Sequence, residues 1–129
     1  MPIELKMLAY SAALCLLLAV PYTLGFIVER GMPKLLGNRD DFAPGTGWIG
    51  RAQRAHRNMI ENLVPFAALA LSVVVANQTS ATTALAAELF FYARLGHAVV
   101  YIAGIPGLRT LAYALGLVAT VMLLGALLG

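Results

Sequence analysis

The chain has 129 residues, of which 60% are hydrophobic and only 12% charged, with a formal net charge of +3. A soluble domain carries about 25% charged residues, so this composition excludes an ordinary water-soluble fold. The modest positive charge lies along segments that flank apolar runs, which is not the gathered basic face that nucleic acid requires. The whole chain reads as one all-α membrane domain, residues 1–129, with no room for a separate soluble one.

Residues 7–28 contain no charged side chain. A spanning helix needs about 20 apolar residues, and this run is too long for the apolar core of a signal peptide. A first spanning helix is therefore predicted over 3–29, with Pro21 and Gly25 as kink points. It contains the single cysteine, Cys15, so no intrachain disulfide can form. Cys15 reads as a packing thiol, since a reactive one needs an electropositive, accessible setting. The stretch GMPKLLGNRDDFAPGTG, residues 31–47, is the longest loop.

A second helix is predicted over 48–76, with Thr46 as its N-cap and Trp48 at a membrane interface. NQTSATT, residues 77–83, is a turn. A third helix follows over 84–105, with Glu88 near its start, where the helix dipole favours an acid. IPG, residues 105–107, makes a tight connection to a fourth helix over 108–128. Arg30, Lys34, Arg39, Arg51, Arg54 and Arg57 flank the first loop, and Arg109 follows the third. The excess of basic residues places these two loops in the cytoplasm and both termini outside. The short loops suit a bacterial inner membrane.

The informative stretch is RAQRAHRNMIEN, residues 51–62. Ionisable groups at membrane depth are costly, about 2.5–3.5 kcal/mol each at a helix centre on the gentler scales. The apolar run from Leu63 to Ala76 is too short to cross the hydrocarbon core alone, so Asn58 and Glu61 are drawn into it. Arg51, Arg54, Asn58 and Glu61 form one stripe of the helix, with Arg57 to one side. Pro65 lacks an N–H and leaves the Glu61 carbonyl without its helical partner.

Arg94, His97 and Tyr101 form a stripe on the third helix; Arg109, Thr110 and Tyr113 cluster at the start of the fourth. Helix rise puts Arg94 and Glu61 at a similar depth, about 20 Å from the cytoplasmic helix ends. Arg94 therefore has two readings, ligand contact or partner of Glu61. Arg51, Arg54, Arg57, Arg94 and Arg109 face one carboxylate, Glu61. That balance calls for an anionic small molecule entering from the cytoplasm, since arginine holds carboxylates with two prongs. His97 reads as a hydrogen-bonded packing residue and His56 as a surface or interface residue. No residue pattern suggests a metal site.

RAHRNMIEN (54–62), RLGHAVVY (94–101) and LRTLAY (108–113) together resemble the signature stretches of the MAPEG family (membrane-associated proteins in eicosanoid and glutathione metabolism), notably its glutathione transferase-like and prostaglandin E synthase-like members. The resemblance implies a homotrimer of four-helix subunits with glutathione as co-substrate, bound between subunits near the cytoplasmic side. It assigns Arg54, Asn58 and Glu61 to the tripeptide, with Glu61 on the γ-glutamyl amino group. Arg51 and Arg57 add charge or subunit contacts, and Arg94, Tyr101 and Tyr113 add further contacts. Arg109 is implied to stabilise the thiolate, and Thr110 stands where relatives carry a serine proposed to assist the thiol. Some relatives place a further arginine at the cytoplasmic end of the first helix, for which Arg30 is the candidate; the loop acids Asp40 and Asp41 have no clear counterpart. The implied activity is glutathione transfer or peroxide reduction on a hydrophobic electrophile or lipid from the bilayer. The rival expectation is a non-catalytic lipid-binding or accessory subunit.

Overall fold

The computed structural model describes residues 1–129 and is all-helical. The helices are α1 (Ile3–Arg30), α2 (Met32–Leu36), α3 (Gly47–Val75), α4 (Ala81–Ala103) and α5 (Pro106–Leu128). The four long ones are each long and apolar enough to cross a membrane, and the chain is a multi-pass integral membrane protein. The short α2 lies in the stretch expected to be loop. Pro33 near its start and Gly37 at its end bound a single extra turn.

Element boundaries differ from expectation where local chemistry decides them. α4 starts at Ala81, three residues early, because Ser80 and Thr83 form a reciprocal capping box. The Ser80 hydroxyl accepts the Thr83 N–H at 3.2 Å and the Thr83 hydroxyl accepts the Ser80 N–H at 2.7 Å, which satisfies two end donors. Glu88 consequently sits two turns inside the helix, beyond the reach of the dipole argument. α4 stops at Ala103 because Gly104 takes a left-handed conformation, φ 83°, that costs glycine nothing. α5 then begins at Pro106, whose fixed φ suits a first helical position. Thr46 does occupy the N-cap position of α3, but its side chain makes no capping bond. α1 and α3 run through Pro21 and Pro65 without a break.

α4 and α5 pair closely, and α1 and α3 pack across them. Ala52, Ala55, Ala70, Ala86, Ala87 and Ala119 are wholly buried. Such small residues let helices approach where the bilayer offers no hydrophobic drive of its own. Phe66 and Phe90 stack at 3.8 Å between ring centres in the middle of this core. One end of the bundle gathers the C-terminal ends of α1 and α4 with the N-terminal ends of α3 and α5, and the 31–46 segment packs there against α1 and α3. Here Arg30 donates to the carbonyls of Ala43 and Pro44 and lies over the rings of Phe26 and Phe42. Gly50 lets this segment touch α3: a Cβ there would stand 2.3 Å from the Gly45 carbonyl oxygen. At the far end, buried Glu4 of α1 accepts a hydrogen bond from the Thr83 hydroxyl of α4.

Candidate functional site

The expected stripe on α3 divides. One helical step of four residues turns about 40°, so Asn58 lies round the axis from Arg54 and Glu61. It faces α4, while Arg54, Arg57 and Glu61 remain exposed. The polar residues therefore form three layers.

The innermost layer is Arg94, the largest fully buried side chain, 1% exposed. Its Nη2 donates to Asn58 Oδ1 and also faces His97 Nδ1 at 3.4 Å. Its Nε and Nη1 are buried without partners. Asn58 Oδ1 also accepts from Asn62 Nδ2 at 3.2 Å. Gly116 on α5 makes room for the arginine stem, since a Cβ there would stand 3.3 Å from Arg94 Cδ. The pairing of Arg94 with Glu61 is thus replaced by one with Asn58 and His97. Arg94 is also shallower than expected, nine residues from the end of α4, about 14 Å. Glu61, 14 residues into α3, lies about 21 Å from its start.

The middle layer centres on Tyr101. Arg54 Nε donates to its hydroxyl at 3.2 Å, and the Arg109 guanidinium stacks over its ring at 4.6 Å. The His97 ring meets Tyr101 edge-on at 5.4 Å. Tyr101 thereby joins α3, α4 and α5 at one point. Arg51 donates from Nε to the Ile102 carbonyl at 3.0 Å, which satisfies an end carbonyl of α4. Thr110 donates to Pro106 O within its own helix at 3.3 Å, so its hydroxyl is already engaged.

The outer layer is open. Arg57 and Glu61, one turn apart, line a cavity of about 390 Å³ with Tyr22, Gln53, His56 and Ile60. His56 Nδ1 and the Tyr22 hydroxyl are 2.9 Å apart, so His56 is tied to α1 within the subunit. Tyr113 is 39% exposed on α5. Arg30 is held in the 31–46 segment and lies outside these layers; Asp40 and Asp41 line a separate exposed cavity with Lys34 and Arg39. Cys15 is a free, half-buried thiol.

Sequence reasoning missed Asn62 as a member of the network and Tyr22 as the partner of His56. Asn62 was readable as one turn beyond Asn58; the Tyr22–His56 contact spans 34 residues and left no local signal. On the α4–α5 flank lies an apolar groove of about 350 Å³, lined by residues including Leu89, Tyr92, Gly96, Val100, Leu108 and Leu115.

Four apolar spans carrying a graded cationic seam at one end define a multi-pass helical membrane protein with a polar site inside its spanning region. The chain belongs to the MAPEG family, whose profile matches residues 7–129. It is similar to microsomal glutathione S-transferase 1 of Bos taurus, 35% identical over 69 residues, or 53% of this chain and 44% of that protein. It is similar to the same enzyme of Sus scrofa, 36% identical over an alignment of the same extent. The match spans less than half the length of these relatives. No solved structure matches.

Proposed function

We propose that this protein is a glutathione-dependent membrane transferase, with peroxide reduction as the allied reaction, acting on a hydrophobic electrophile from the bilayer. The observation that carries this reading is the outward set Arg54, Arg57 and Glu61, exposed on a membrane-spanning helix. Bare charges at that depth are costly, so a partner copy and an anionic ligand are needed to cover them. Family membership supports a homotrimer with glutathione between subunits. Glutathione has two carboxylates, one ammonium and a thiol. Arg57 and Arg54 suit the carboxylates, and Glu61 suits the ammonium.

Arg109 extends the seam on α5. A free thiol ionises near pH 8.5, and an adjacent guanidinium favours the thiolate, which is the nucleophile. In transfer, the thiolate sulfur attacks an electrophilic carbon; a carbon–sulfur bond forms and the displaced group leaves with the bonding electron pair. The apolar groove between α4 and α5 supports an electrophile delivered through the lipid. Cytoplasmic first and third loops, in keeping with the basic residues, would open the site to cellular glutathione.

The test is a thiolate difference spectrum on adding glutathione to purified protein. The expected result is a thiolate absorbance that Arg109→Ala removes. Glutathione binding without any thiolate signal would instead favour a non-catalytic accessory or lipid-binding role.

A further inference from the structure

We infer that Arg94 is a positioning residue: buried between three helices, it fixes the tautomer of His97 and, through the His97–Tyr101 edge contact, the ring on which Arg109 rests. The catalytic consequence rests on the reading of Arg109 given above; the tautomer does not.

Guanidinium only donates. Arg94 Nη2 faces His97 Nδ1 at 3.4 Å, so Nδ1 must be the bare, accepting nitrogen and the ring proton sits on Nε2. His97 is 2% exposed, so water cannot readily compete for Nδ1. Asn58 holds the other side of the same Nη2, and its oxygen is in turn held by Asn62. Gly116 supplies the room on α5 that the arginine stem occupies. Arg94 is therefore located from α3, α4 and α5 at once.

The fixed imidazole stands edge-on against Tyr101, at 72° between ring planes. Tyr101 cannot rotate into that edge without losing the Arg54 bond to its hydroxyl. Arg109 then stacks on a ring of defined orientation. Arg94, without an exposed polar atom, acts on the ligand only through this chain of contacts. A buried charge lacking any carboxylate partner is costly to retain for packing alone, which accords with a positioning task.

The experiment compares wild type, Arg94→Lys, Arg94→Met and His97→Gln in detergent, each checked for oligomeric state and thermal melting. Nitrogen NMR of histidine-labelled protein reads the His97 tautomer, with its signal assigned by its loss in His97→Gln. Glutathione titration reads affinity and thiolate absorbance per bound ligand separately. The expected result is a single Nε2–H tautomer in wild type, kept in Arg94→Lys, where the ammonium also only donates, and mixed in Arg94→Met. Thiolate per bound glutathione should fall about tenfold in Arg94→Met, equivalent to one unit in the thiol's ionisation, with affinity changed far less, and should recover partly in Arg94→Lys.

A wild-type His97 protonated at Nδ1 overturns the inference, whether or not Arg94→Met folds. So does a loss of affinity with thiolate per bound ligand unchanged, which would make Arg94 a direct ligand contact. If wild type binds no glutathione, the functional reading fails, and the tautomer comparison alone decides whether Arg94 sets His97.

Discussion

At the scale of single residues, the arginines divide by what already holds them. Arg51 is spent on an end carbonyl of α4, Arg30 on the carbonyls of Ala43 and Pro44, and Arg94 on Asn58 and His97. Arg57 and Glu61 carry no such commitment to another element and face outward beside an open cavity. The ligand surplus of positive charge is thus smaller than a count along the chain suggests, and it is concentrated on one face of α3 with Arg54 and Arg109. Asn58 is a support for Arg94, which distinguishes it from the exposed residues on either side. Asn58→Leu should leave Arg94 Nη2 with only the longer contact to His97, at a cost of about 1.5–3 kcal/mol, the range for hydrogen bonds to charged groups. Thermal melting in detergent checks this, and an unchanged midpoint would remove Asn58 from the supporting network.

At the scale of elements, the four spans were readable from apolar length alone, because lipid demands about 20 apolar residues in a helix that satisfies its own backbone. Their ends were less readable. The start of α4 depended on a reciprocal bond between Ser80 and Thr83, and its stop on Gly104 adopting positive φ. Both are side-chain or backbone details that hydropathy does not register. The site was legible as three stripes, since helical spacing determines which residues share a face. Which edge of the α3 stripe turned inward was not, because that depends on how α3 rotates against α4. Glu4 escaped notice for a similar reason: its partner Thr83 lies 79 residues away. Thr83→Val should remove the Thr83 half of the capping box and the partner of buried Glu4, while the Ser80 hydroxyl still accepts the backbone N–H of residue 83. The expected loss is about 1–3 kcal/mol, the cost of leaving a buried polar group unsatisfied, with faster hydrogen exchange confined to the first turns of α1 and α4. Exchange unchanged at both ends would contradict this account of how they are joined.

At the scale of the whole molecule, the polar residues of one chain are covered unevenly. Arg94 and Tyr101 are each tied to neighbouring helices, with Arg94 Nε and Nη1 left unpartnered, whereas Arg54, Arg57 and Glu61 stand exposed on a membrane-spanning helix. Lipid is a poor cover for such groups. In the proposed function, a second copy and glutathione supply that cover. Native mass spectrometry of the detergent-released protein with glutathione tests both parts together. The account predicts a trimer that retains glutathione, and a Glu61→Gln trimer that retains much less. A protein that stays monomeric, or a trimer from which glutathione is wholly absent, would contradict it.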